Sequence, residues 1–113
     1  MSFSQGAGTP AGEGVSLQAA RRNKTINFLI LDVGTSSMRG ILFRGDGKLL
    51  HTVQKEYQVI TLDQGWVEQN PLDFRDSMIR IVKESAEFAA QEGESIDAVA
   101  LTSQRSSVIP VDR

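Results

Sequence analysis

The stretch that decides the fold is Phe28-Leu-Ile-Leu-Asp-Val-Gly-Thr-Ser-Ser-Met-Arg39. Its approach, Ile26 to Leu31, is a near-continuous apolar run, the pattern of a strand buried on both faces. The run ends on Asp32, passes Gly34 and the hydroxyl residues Thr35, Ser36 and Ser37, and turns apolar again at Ile41-Leu42-Phe43. A strand, a tight polar turn and a second strand follow from that pattern. The turn has the chemistry that phosphate binding needs. Gly34 lets backbone approach a ligand with no Cβ in the way, and successive N–H groups in such a turn can cradle an anion. The three hydroxyls can donate to phosphate oxygens, Arg39 can neutralise charge, and Asp32 is placed to hold a hydrated Mg²⁺. The same pattern also fits an ordinary hairpin, whose Gly and Ser serve conformation alone. The rest of the chain has to decide between the two.

At 113 residues the chain is one domain or less, with room for a modest core. A net charge of −2 makes no electrostatic case for nucleic acid or an anionic membrane as partner. Without cysteine, disulfides, thiolate nucleophiles and sulfur-ligated metals are excluded within this chain. No apolar run reaches membrane-spanning length, and the N-terminus lacks the apolar segment of a secretion signal. The expected setting is cytoplasmic.

Residues 1–25 are rich in Gly, Ser, Ala and Gln and should form a disordered extension, with Arg21-Arg22-Asn23-Lys24 as a solvated basic collar. The second strand, about Arg39 to Phe43, leads into Asp46-Gly47, a strong hairpin signal. The third, about Leu49 to Ile60, alternates. Leu49, Val53, Tyr57 and Val59 share one face with His51, while Thr52, Gln54, Glu56 and Gln58 take the wet face. The lone histidine has no second ligand at metal spacing and reads as a packed strand residue. A loop, Asp63 to Gln69, carries Trp66, expected to anchor it against the core. Asn70-Pro71-Leu72-Asp73 is a helix start, with Asn as cap and Pro at the first position. Phe74, Met78, Ile81, Val82, Ala86 and Ala89 form the predicted buried stripe, and Gly93 the stop. Ile96 to Thr102 is a nearly all-apolar fourth strand suited to burial, delivering the polar cluster Ser103-Gln104-Arg105-Ser106-Ser107 past its carboxyl end. Ligands of open α/β sheets bind at such ends.

Short turns make the first three strands antiparallel neighbours, and the helix crosses over, right-handed, to the fourth. The predicted class is α/β, a mixed sheet in the order third, second, first, fourth, with the turn after Asp32 and the Gln104-Arg105 loop at one edge. This β-β-β-α-β plan resembles part of a ribonuclease-H-like, actin-like ATPase domain. Four stretches narrow the resemblance to the FGGY family of carbohydrate kinases, glycerol and xylulose kinases among them: Leu31 to Arg39, Asp46 to Lys48, Gly65 to Pro71, and Leu101 to Ser107. Their order and spacing are similar to the opening of that family's first lobe, over residues 26–113.

The resemblance implies an ATP- and Mg²⁺-dependent transfer of the γ-phosphoryl group to a hydroxyl of a sugar or polyol. It assigns Asp32, Gly34, Thr35, Ser36, Ser37 and Arg39 to the ATP phosphates, with Asp32 near the metal through water. Gln104, Arg105 and Ser106 fall in the loop that touches substrate hydroxyls. Glycerol kinases have glutamate where this chain has Ser106, so an acceptor is missing and the substrate stays open. The aspartate acting as general base in the family lies further along than Arg113, so no catalytic residue is expected within the chain. A truncated, inactive lobe with uncovered apolar sheet surface and a tendency to self-associate is the implied state. A non-kinase ATPase of the same fold, or a free-standing binding module, are the competing readings.

Overall fold

A computed structural model describes residues 25–113. The expectation of disorder over 1–25 therefore lies, but for Thr25, outside the described residues. Four strands form the main sheet: β1 (Asn27–Val33), β2 (Ser37–Arg44), β3 (Leu49–Glu56) and β6 (Ala98–Ser103), in the order β3-β2-β1-β6. The first three pair antiparallel and β6 lies parallel to β1, as the connection lengths require. A separate short ladder joins β4 (Ile60–Thr61) to β5 (Val67–Glu68), and one helix, α1 (Pro71–Gln91), makes the crossover.

The helix begins as its sequence dictates, with the Asn70 side chain accepting from the Leu72 N–H at 3.0 Å and Pro71 in the first turn. It ends at Gly93, whose φ of 68° closes a left-handed turn. The Glu94 N–H reaches the Ala89 carbonyl at 2.8 Å and the Gly93 N–H the Ala90 carbonyl at 3.4 Å, the paired bonds of a Schellman motif.

The helix lies flat on β2 and β3, and small residues permit this. A Cβ built on Gly40 would meet Ile81 Cγ2 at 2.3 Å, so only glycine accepts the helix this close. The buried helical positions are Ser77, Ile81, Ser85 and Ala89, flanked by Phe74, Met78 and Phe88. Ile81 and Ala89 match the predicted stripe; Val82 and Ala86 do not, being exposed. The buried stripe is rotated because two serines, polar by type, are small enough to sit against the sheet.

Leu29 and Leu31 of β1 and Met38 and Leu42 of β2 complete the core beneath it. The opposite sheet face carries Phe28, 39% exposed, so β1 is covered on one face and not both. Edge strand β6 is exposed along its whole length, against the expectation of burial, with Leu101 at 63%. It pairs with β1 but lies beyond the reach of α1. The third strand stops at Glu56 rather than Ile60, which turns away into the β4–β5 ladder. A bulge between Leu42 and Phe43 shifts the register there, leaving Leu50 against the core and Leu49 exposed. His51 stacks on Phe88 with ring centroids 4.3 Å apart, a packed strand residue as its isolation in sequence implied.

At the start of β1, Asn27 is buried and ties the β6 approach to the sheet. Its side-chain amide donates to Glu94 Oε2 and to the Ser95 carbonyl, both at 2.9 Å, while its backbone N–H donates to Asp97 Oδ2 at 2.9 Å.

Candidate active site

β1 and β2 meet at the turn Gly34-Thr35-Ser36-Ser37. The Gly34 N–H donates to the Ser37 carbonyl at 2.9 Å, and a Cβ on Gly34 would sit 2.9 Å from that same oxygen. The turn is therefore too tight for a side chain at its first position. Thr35 and Ser36 stand exposed at the tip. Among the described residues their N–H groups and hydroxyls have no partner, whereas the turn's carbonyls are all engaged. The Tyr57 hydroxyl donates to the Gly34 carbonyl and lies 3.0 Å from the Ser37 carbonyl; the Tyr57 N–H reaches the Ser36 carbonyl at 3.1 Å. The Gln69 side-chain amide donates to the Thr35 carbonyl at 2.6 Å.

Beside the turn, a polar row crosses the sheet. Arg39 pairs in register with Asp32 on one side and Gln54 on the other, and Asp32 pairs with Thr102 of β6. Arg39 Nε and Nη2 donate to Gln54 Oε1 at 3.2 and 3.1 Å, and Gln54 Nε2 donates to Ser37 Oγ at 3.3 Å. The Arg39 guanidinium is exposed and held in plane by that glutamine, while Asp32 is half-buried. The Tyr57 hydroxyl is pushed above its ordinary pKa, first by burial and then by the nearby Asp32 charge, so it stays protonated and able to donate.

The second loop arrives at the same edge. β6 runs parallel to β1 as far as Val33 and Ser103, and the Gln104 N–H then donates to the Val33 carbonyl at 2.9 Å. Gln104 thus begins one residue's breadth from the Gly34 turn. Its side-chain amide donates to Ser107 Oγ at 3.1 Å, across a bend in which Ser106 has a φ of 69°. Arg105 and Ser106 are exposed. The structure therefore brings together the residues singled out in sequence: Asp32, Gly34, Thr35, Ser36, Ser37 and Arg39 on one loop and strand pair, and Gln104, Arg105 and Ser106 beside them.

Three residues of this neighbourhood escaped the sequence reading. In sequence Tyr57 is one more residue of the dry strand face, Gln54 one more of the wet face, and Gln69 the end of a polar loop. Only side-chain reach across non-local strands reveals them. Trp66, expected to anchor its loop, is 65% exposed. Its loop is fixed by backbone instead: the Leu62 N–H donates to the Trp66 carbonyl at 2.8 Å, and Gln64 and Gly65 both take positive φ.

Among the described residues no three His, Asp or Glu side chains gather where they could hold a metal, and no helix is long and apolar enough to cross a membrane.

Comparison with known proteins agrees with this geometry. The N-terminal domain of the FGGY family of carbohydrate kinases matches residues 27–113. A glycerol kinase of Paraburkholderia xenovorans is 39% identical over 85 residues, which is 75% of this chain and 17% of that protein. Among solved structures, gluconate kinase from Lactobacillus acidophilus superposes with a TM-score of 0.62 at 26% identity, over 72% of this chain and 16% of the other. Ligand-bound xylulose kinase from the same organism gives 0.60 at 27% identity, over 69% and 15%. The chain thus spans about a sixth of the length of the relatives it matches. Their shared fold is the ribonuclease-H-like, actin-like ATPase fold, of which the sheet and crossover helix described above are part. With its matched span running from the first residue of β1 through the Gln104 loop, the chain belongs to the FGGY family of carbohydrate kinases.

Proposed function

We propose that the chain supplies the phosphate-gripping edge of a kinase that transfers the γ-phosphoryl group of ATP to a hydroxyl of a sugar or polyol. The observation that carries this is the Gly34–Ser37 turn, whose carbonyls are engaged inward while the N–H groups and hydroxyls of Thr35 and Ser36 stand exposed without partners. Phosphoryl transfer is mostly positioning plus charge stabilisation, and these are the groups such a task uses. The turn amides and the hydroxyls of Thr35, Ser36 and Ser37 would bind phosphate oxygens, and Arg39 would neutralise their charge. Mg²⁺ keeps several waters and takes one or two carboxylates beside substrate phosphates. One half-buried carboxylate, Asp32, fits that habit, and the ion would supply charge neutralisation there. Gln104, Arg105 and Ser106 would meet the acceptor's hydroxyls.

The relatives named above are kinases of glycerol, gluconate and xylulose; Ser106 offers no carboxylate to a polyol, and the acceptor stays open. The general base lies outside this chain in the family, and the chain by itself should transfer nothing. An ADP-release assay over a panel of sugars and polyols tests this: the 113-residue chain is expected to be silent. Turnover by the purified chain would refute it. The bare β6 edge, with Val99 57% exposed and Leu101 63% exposed, favours self-association of the chain in isolation. A monomeric mass by light scattering at high concentration would contradict that.

A further inference from the structure

The carbonyls of Gly34, Thr35 and Ser36 are each bound by a residue from outside the phosphate turn, and two side chains make the decisive bonds. We infer that Tyr57 and Gln69 are positioning residues for the anion site: neither reaches the anion, and both aim the groups that do. This rests on the phosphate reading of the turn given above.

In a trans peptide the C=O of one residue and the N–H of the next point in opposite directions. The Tyr57 hydroxyl on the Gly34 carbonyl therefore turns the Thr35 N–H away from the protein. Gln69 Nε2 on the Thr35 carbonyl, at 2.6 Å, does the same for the Ser36 N–H. The Tyr57 N–H on the Ser36 carbonyl, at 3.1 Å, pins the end of the turn to the chain beyond β3. Two successive amides, those of Thr35 and Ser36, are thus aimed outward by two side-chain bonds, each made to the carbonyl of the preceding residue. A turn left without these bonds could rotate its peptides freely and present carbonyl oxygens, which repel phosphate.

Both positioning residues are themselves fixed by the start of α1. The Tyr57 ring is 8% exposed and packs on Phe74 of the first helical turn with centroids 4.5 Å apart. Gln69 immediately precedes the capping residue Asn70, whose own geometry is held by its bond to Leu72. Neither residue has to be ordered when an anion arrives.

The test is the affinity of the 113-residue chain for MgATP by calorimetry, measured beside thermal unfolding. Tyr57→Phe and Gln69→Met each remove a donor while keeping shape, and each should weaken MgATP binding about five- to tenfold, the worth of one hydrogen bond. Gly47→Ala is the control. It sits at φ 92° in open space on the distant β2–β3 hairpin and should lower the melting temperature without moving the affinity. Variants that bind MgATP as wild type does, while melting lower, would reduce Tyr57 and Gln69 to structural residues and overturn the inference alone. A wild-type chain that binds no MgATP would overturn the phosphate reading and this inference with it. Gln69 is less buried than Tyr57, so Gln69→Met decides the matter should Tyr57→Phe fail to fold.

Discussion

Gly40 is where helix and sheet touch most closely, and substituting it sets two effects of opposite sign against each other. A glycine inside a strand costs about 0.5–1 kcal/mol of stability through chain entropy, so Gly40→Ala would stabilise if nothing stood in its way. Here something does. The new Cβ would lie 2.3 Å from Ile81 Cγ2 and 3.3 Å from Val53 Cγ1, and Ile81 is fully buried. A branched side chain locked in the core cannot swing clear, so either α1 lifts or Ile81 leaves its rotamer, an overpacking cost of about 1–3 kcal/mol. The clash wins, and the net loss is about 1–2 kcal/mol. In urea, at a slope of about 1.5 kcal/mol/M, the unfolding midpoint should fall by about 1 M with the slope unchanged. The sharper test is the double mutant. Ile81→Ala alone costs about 2–5 kcal/mol by opening a cavity. In that background the methyl group added at Gly40 fills space instead of clashing, and Gly40→Ala should become neutral or stabilising. The coupling is then about 1–3 kcal/mol. If Gly40→Ala stabilised the wild type, or cost the same in both backgrounds, the close-packing argument would be wrong.

Other perturbations probe the remaining supports. Asn27→Asp replaces a buried amide donor with a carboxylate facing Glu94 and Asp97, and should cost about 3–5 kcal/mol at neutral pH, recovering as the pH falls and the introduced carboxyl is neutralised; chemical denaturation at pH 7 and pH 4 would show it. The Tyr57 pKa is raised by burial and Asp32, so its contribution is complete below the ordinary tyrosine value of about 10 and is lost as pH climbs through the higher folded value. Wild-type stability should therefore decline above about pH 10 more steeply than that of Tyr57→Phe, read from melts across pH 8 to 11. Equal slopes would remove Tyr57 from the balance.

Much of the fold was legible because local signals and long-range pattern agreed. Asn70-Pro71 and Gly93 bounded the helix, Asp46-Gly47 marked a hairpin, and the short connections around Gly34 allowed only antiparallel pairing. What failed had one physical source. Hydrophobicity says that a side chain prefers burial, and not whether anything is available to cover it. Val99 and Leu101 are as apolar as Leu29 and Leu31, yet α1 reaches only the latter pair. Ser77 and Ser85 illustrate the converse, since size rather than polarity decided which helical residues touch the sheet. The site residues were legible as types along the turn, but their aim was not. Tyr57 reaches back to Gly34, and Gln69 to Thr35, through bonds between residues 23 and 34 positions apart, which no local pattern encodes.

The proposed function stands or falls on whether the Gly34–Ser37 turn grips the terminal phosphates of a nucleotide. Amide chemical shifts of the ¹⁵N-labelled chain, followed while MgATP is added, test it most directly. The Thr35 and Ser36 amides should move first and furthest, with Gln104 responding through its contact with Val33, while Gly93 to Ser95 at the far end of the sheet stay still. Shifts absent from the turn, or confined to the distant end, would contradict it.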